Sequence, residues 1–298
     1  MGKSSHRKVG RQHNRIVIIG SGNVAVNIAL ALKDKHQIVQ IYSRNICNAH
    51  RLAQMVGATE ETDDINKIIN DADFYIVSVC DDAIKEVLTS FPVVSGTIVH
   101  TSGTKGLEVF NSLSYASTGV LYPLQTFSIN SRPDFDEIPI LIEGCDKLTT
   151  QKIKDFAKTI SEKVLETNSE IRRHIHIAAV FANNFVNHIW TLADNYLKQH
   201  TDFDISIFEP LLKETLNKVF ITGAFNSQTG PAVRNDIKTI QKHLDMLEGK
   251  QYDIYKLLTD SIINEHSKEN NIYGQPDFKE NNTCLQLAQT QTAPFGSR

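Results

Sequence analysis

A β-branched run, Arg15-Ile16-Val17-Ile18-Ile19, feeds directly into Gly20-Ser21-Gly22-Asn23-Val24-Ala25 and then into a stretch of helical spacing. This GxGxxA pattern constrains the fold more than any other feature, because it requires a strand, a tight turn and a helix lying close on that strand. Gly20 permits the turn. Gly22 has no side chain and leaves the backbone open to a pyrophosphate, while Ala25 is small enough for close helix–strand packing. The unpaired N–H groups at the start of the helix, and its partial positive charge, then face the phosphates. Gly20, Ser21, Gly22, Asn23 and Val24 are the candidate phosphate-binding residues. The bland alternative is a glycine turn in an α/β domain that holds no nucleotide; the strand-to-helix context favours binding.

The rest of the first half repeats the unit. Apolar strands are expected at Gln37–Tyr42, 74–79 and Thr97–His100, and helices at 23–33, 49–56 and 84–88, with a weaker one at 65–69. Two further runs, 118–121 and 138–142, extend the sheet, followed by a helix at 146–160 and a short strand at 164–165. Strands alternating with helices imply βαβ units, and near-continuous apolar strands suit a sheet covered on both faces. From residue 169 onward only helical periodicity is found, with helices expected at 169–200, 205–221, 235–247 and 252–266. The predicted architecture is α/β, a Rossmann-type doubly wound, mostly parallel sheet, followed by an all-α C-terminal domain. The expected divisions are a basic arm at 1–14, a dinucleotide-binding domain at 15–168, an all-α domain at 169–270 and a polar tail at 271–298.

Composition narrows the function classes. With 298 residues, 41% of them hydrophobic, there is enough apolar material for about two cores, which excludes a disordered chain. A net charge of −3 gives no pointer to nucleic acid or an anionic membrane. The arm (Lys3, Arg7, Lys8, Arg11, Arg15) reads as solvated rather than RNA-binding. No run approaches the ~20 apolar residues of a membrane helix. Cys47, Cys80, Cys145 and Cys284 are far apart and form no CxxC pair, so a reduced, cytoplasmic protein without a metal site is expected. No HExxH or GxSxG pattern is present.

The end of the second strand selects the cofactor. An NAD site places an acid about 20 residues past the glycines, on the ribose 2′-hydroxyl. Here the chain reads Tyr42-Ser43-Arg44-Asn45, with no acid. Arg44 suits a 2′-phosphate, and Ser43 and Asn45 can hydrogen-bond to it, so NADP(H) is expected over NAD(H). Ligands sit at the carboxyl ends of parallel strands, which adds Cys80, Asp81 and Ser102 to the expected cofactor site. Asp82 reads as a helix cap.

Four segments carry a resemblance: Val99-His100-Thr101-Ser102-Gly103, the run from Leu121 to Phe127 (LYPLQTF), the run from His176 to Asn184 (HIAAVFANN), and the run from Thr229 to Asp236 (TGPAVRND). With the GxGxxA strand they make the chain resemble bacterial NADP oxidoreductases that join a Rossmann-like domain to a C-terminal domain of unknown function. These lie within the superfamily of 6-phosphogluconate dehydrogenase, 3-hydroxyisobutyrate dehydrogenase and pyrroline-5-carboxylate reductase. The resemblance spans about residues 14–266; it implies the fold, an NADP(H) cofactor and dimerisation through the helical half, but no particular reaction. The hydroxyacid dehydrogenases of the superfamily carry an acid/base lysine three residues before an Asn-Asn pair. Matching on Asn183-Asn184 puts Val180 there, so that chemistry does not carry over. Relatives often have His before the proline matching Pro123, where this chain has Tyr122.

A polar seam stands in for the lysine. At about 100° per residue, His176, Asn183 and Asn187 fall within roughly 20° of one line on the expected 169–200 helix. The remainder of that helix is mainly apolar, which predicts burial, and buried polar groups need partners. His176, an imidazole and so a residue type suited to proton transfer, is the candidate proton donor, with Tyr122 as second candidate and Asn183 and Asn184 beside it. Asn187 and Arg234 are candidate substrate contacts, the arginine for a carboxylate. His174 and His188 point elsewhere. An NADP(H)-dependent reductase or dehydrogenase of a small C=O or C=N metabolite is the favoured reading. A catalytically silent NADP(H) sensor or assembly subunit is the alternative.

Overall fold

The computed structural model describes residues 13–111 and 113–273. Lys3, Arg7, Lys8 and Arg11, the tail from residue 274 and Cys284 lie outside the described residues. Two compact units divide between Val186 and Asn187.

The first unit is built on an eight-stranded sheet in the order β3-β2-β1-β4-β5-β6-β7-β8. The strands are β1 (Arg15–Ile19), β2 (Gln37–Tyr42), β3 (Glu60–Thr62), β4 (Phe74–Val77), β5 (Thr97–His100), β6 (Thr118–Pro123), β7 (Ile140–Gly144) and β8 (Val164–Glu166). All neighbouring pairs are parallel except β6 with β7. Helices α1 (Asn23–Leu32), α2 (Ile46–Val56), α3 (Asp81–Thr89) and α4 (Lys147–Ala157) complete it.

Period-two alternation sends each strand's side chains to opposite faces. Ile16 and Ile18 of β1 join one apolar cluster with Ile28, Leu52, Phe74 and Phe156. Val17 and Ile19 join another with Tyr75, Ile84, Leu88 and Phe110. The sheet is thus covered on both faces, the arrangement that uninterrupted apolar strands favour.

Two local expectations are corrected. The weak helix at 65–69 is only a 3-10 turn, Ile65–Lys67, capped by the Asp64 side chain. The edge strand β3, sequence EET, escapes sequence reading because it carries no apolar alternation and owes its place to pairing with β2. Arg15, counted among the basic residues of the arm but also read as the start of the first strand, does open β1, and it pairs with Asp71 at 2.6 Å.

The expected single helix at 169–200 is α5 (Ser169–Ala179), a π turn (Val180–Phe185) and α6 (Val186–His200). Its expected burial is also corrected: in α5 only Arg172 is buried, and none of the π turn or α6 is. Ile177, Phe181, Phe185 and Trp190 are all exposed.

The second unit is helical. It holds α6 from Asn187, then α7 (Glu209–Thr222), α8 (Ile237–Leu244) and α9 (Gly249–Tyr273). Among its described residues only Ala232, Ile240 and Thr259 are buried.

Candidate functional site

A cavity of about 1060 Å³ opens within the first unit, where the carboxyl ends of β1, β2, β4, β5 and β6 face α5 and the π turn. That is at the upper end of the range ligand pockets span.

The two glycines of the β1–α1 turn do different work. Gly20 has φ +119°, and a Cβ there would collide with the Ser78 carbonyl oxygen. Its N–H donates to the Tyr42 carbonyl at 2.8 Å, locking the turn onto β2. A Cβ at Gly22 would meet nothing within 4 Å, because that position faces the open cavity. Gly22 is also the N-cap of α1, and no side chain caps the helix, so its first N–H groups remain available.

Ser21, Asn23 and Val24 line the same wall. The Ser21 and Ser43 hydroxyls hydrogen-bond at 2.8 Å, joining the turn to the end of β2. The Asn23 amide donates to the Phe127 carbonyl at 3.0 Å, holding the segment after β6 against α1. Arg44 is exposed, lines the cavity and has no carboxylate partner among the described residues. Asn45 does not line the cavity; its Oδ1 accepts from the N–H groups of Cys47 at 3.0 Å and Asn48 at 3.3 Å, capping α2.

Cys80 is the N-cap residue of α3 and Asp81 its first residue, and both line the cavity. Asp82 is therefore not the cap expected of it: the helix starts two residues earlier, and its carboxylate lies in solvent, 3.6 Å from the Lys105 ammonium. Ser102 is on the wall, but its Oγ is engaged by the N–H groups of Thr104 at 3.1 Å and Lys105 at 3.0 Å. The Thr104 hydroxyl in turn donates to Asp81.

At the far end of the cavity, Tyr122 Oη lies 3.0 Å from His176 Nδ1. The backbone permits this because residue 103 is glycine: a Cβ there would fall 2.5 Å from His176 Nδ1 and 2.9 Å from Tyr122 Cζ. Burial pushes the Tyr122 phenol above its ordinary pKa, and the Asp81 charge adds to that, opposed by Arg172. The phenol stays protonated at neutral pH. Asn183 and Asn184 share the wall. Asn187 and Arg234 belong to the second unit and do not line this cavity. The extra residue of a π turn rotates the next stretch of helix by about 100°, which takes Asn187 off the seam that an unbroken α-helix would have drawn. His174 and His188 are exposed.

Two residues that sequence reasoning missed hold α5 in place. Arg172 is fully buried, pairs with Glu143 of β7 and donates to the Lys105 carbonyl at 2.7 Å. Ser169 donates to the same carboxylate and accepts from the Leu107 N–H. A visible signal existed: Arg172 sits four residues before His176, one turn away on the same face.

His100 was likewise missed. It is fully buried at the end of β5 and stacks on Phe110. Burial, reinforced by the nearby Arg172 charge, pushes its pKa down from 6.5 to about 4. Unfolding frees the imidazole to bind a proton at its ordinary value, so the unfolded chain gains protons in the window between about 4 and 6.5. Stability from this group is intact above that window and is expected to fall by about 3 kcal/mol as pH drops through it. Urea unfolding at several pH values measures this, and His100→Leu should flatten the profile over the same window.

The comparisons fit this arrangement. A family profile described as NADP oxidoreductase, coenzyme F420-dependent, matches residues 15–99. One described as a domain of unknown function, DUF2520, matches residues 138–262. A Bacteroides fragilis protein provisionally designated an NADP oxidoreductase is 38% identical, over 85% of this chain and 99% of its own, with a TM-score of 0.80. A Thermotoga maritima protein is 24% identical, over 86% of this chain and 99% of its own, with a TM-score of 0.65. A reductive aminase from Aspergillus terreus, in complex with NADPH and ethyl-5-oxohexanoate, is 12% identical over 85% and 95% of the two chains, with a TM-score of 0.66. The last two likenesses are of fold. No curated protein matches the chain.

Proposed function

Because this chain belongs to the family of the Bacteroides fragilis NADP oxidoreductase, we propose that it transfers a hydride between NADP(H) and a small C=O/C–OH or C=N/C–NH metabolite. The observation that carries this reading is the Tyr122–His176 pair, 3.0 Å apart, on the cavity that the glycine turn also lines.

The fit to a dinucleotide rests on the contrast between the two glycines. Gly20 is closed in by backbone, whereas Gly22 faces open space beside the uncapped start of α1, where a pyrophosphate needs room and N–H donors. Arg44, without a carboxylate of its own, would take the 2′-phosphate of NADP(H), with Ser43 beside it. NADPH, when bound, supplies the hydride. The residues of the chain supply the proton: in its protonated form the His176 imidazole donates its Nδ1–H to the Tyr122 hydroxyl oxygen and hands the Nε2 proton to the substrate heteroatom, leaving a neutral imidazole held on Tyr122. Asn183 and Asn184 offer amide donors and acceptors to the substrate or the nicotinamide carboxamide.

In Arg44→Asp, NADPH affinity should fall by about 10–100-fold, from loss of a charged hydrogen bond, while NADH binding is spared. Titration of both dinucleotides by fluorescence measures it, and tighter binding of NADH than NADPH by the unaltered protein removes the cofactor assignment. The reaction is tested by following NADPH oxidation over a broad panel of ketones, aldehydes and imines. Binding without oxidation across the panel favours the sensor reading instead.

The protein is further proposed to be a homodimer through its helical unit. That unit buries almost nothing of its own, and Phe220, Ile221 and Leu257 are 82%, 80% and 69% exposed. Apolar surface on this scale calls for a second layer, and light scattering that gives a single chain mass removes the proposal. Exposed free thiols at Cys47, Cys80 and Cys145 support a reducing, cytoplasmic setting. Among the described residues no helix is long and apolar enough to cross a membrane.

A further inference from the structure

The charged groups on the cavity wall are separated by the strand order. Arg44 follows β2, on one side of the β1 glycine turn. Asp81 follows β4, on the other side, together with Ser102 and Gly103 after β5 and Tyr122 on β6. Asp81 is tied to that end through Thr104, whose neighbour Gly103 touches both His176 and Tyr122. The influence of the Asp81 charge on the Tyr122 phenol reports the same proximity. Among the described residues lining the cavity, no Lys or Arg accompanies Asp81 at this end.

We propose that Asp81 is a specificity-determining residue that makes the reacting end of this cavity a site for an imine, reduced as its protonated iminium, in preference to a ketone or a carboxylate-bearing compound. This deepens the reductase reading and rests on it. A carboxylate group, which Arg234 in the sequence suggested, would face Asp81 on this wall and be repelled.

The step balances. The imine nitrogen takes the Nε2 proton of the protonated His176 imidazole, which becomes neutral, and the resulting iminium cation is held by the Asp81 carboxylate. The iminium carbon then takes the hydride, so the C=N π bond breaks, C–H and N–H bonds stand in its place, and NADPH is oxidised to NADP⁺. The neutral His176 imidazole takes up a proton from solvent, so the net reaction is imine + NADPH + H⁺ giving amine + NADP⁺. A ketone passes through no cation of comparable lifetime, so the carboxylate gives it less help.

Two measurements on the full-length protein test this. The first follows NADPH oxidation with 2-methyl-1-pyrroline, cyclopentanone and levulinate. The imine is expected to give a kcat/KM at least about tenfold above the ketone, with levulinate lowest, and Asp81→Asn is expected to shrink the imine-to-ketone ratio by about tenfold. The second titrates pyrrolidine, a cation at neutral pH, into the protein with NADP⁺ present; Asp81→Asn should weaken its binding by about tenfold. A ratio that favours the ketone or levulinate, or a ratio and a pyrrolidine affinity that Asp81→Asn leaves unchanged, overturns the assignment while the reductase reading stands. Bound NADPH with no oxidation by these three probes or by the broad panel of ketones, aldehydes and imines overturns both.

Discussion

His176→Ala is expected to lower kcat by about 10²–10⁴-fold, the range over which a positioned general acid contributes. The loss should fall on kcat more than on KM, because the proton is needed at the transition state rather than for binding. His176 is only partly buried and its ring hydrogen-bonds to Tyr122, so the fold should survive its removal. Tyr122→Phe tests the other half of the pair. It removes the hydroxyl that holds the imidazole and should cost less than His176→Ala. Steady-state rates at saturating NADPH give both values, and a His176→Ala protein that keeps its kcat removes the proton-donor role.

Arg172→Met carries the largest expected effect on stability. The guanidinium is fully buried, with Glu143 and the Lys105 carbonyl as partners, and methionine leaves both without it. Breaking a buried ion pair by removing one member costs about 3–5 kcal/mol, because the remaining charge is stranded. Urea unfolding should show that loss, and Arg172→Met combined with Glu143→Gln should recover part of it, since the second change removes the stranded carboxylate. A single variant as stable as the parent would mean that Glu143 finds solvation elsewhere. Because α5 is fastened here one turn before His176, the single variant should also lower kcat.

The legible part of this molecule was the part governed by local rules. The β1–α1 turn could be read from six residues, because a sharp turn, a bare backbone and a close-packed helix each demand a small residue at a fixed offset. The apolar strands β1, β2, β4 and β5 announced themselves through β-branched runs. By contrast, β3 carries Glu60 and Glu61 and is a strand only because β2 lies beside it. Asn45 reads equally well as a phosphate ligand or a helix cap, and only the backbone positions of Cys47 and Asn48 decide between them. The π turn at Val180–Phe185 has no composition of its own, so the helical wheel that aligned Asn187 with His176 ran through a discontinuity it had no means to detect. Asn183 and Asn184, inside that turn, do reach the cavity. Arg172 and Glu143 are 29 positions apart, and nothing local couples them.

Gly103 leaves a further consequence for anyone who would retune this site. The spacing between the phenol and the imidazole is set by a backbone hydrogen atom where every other amino acid places carbon, so the distance belongs to the main chain and not to side-chain packing that compensating mutations can adjust. Natural or laboratory variation in acidity therefore has to act through the identity of the aromatic partner at position 122 or through the charges around it, Asp81 and Arg172, while the hairline gap stays fixed.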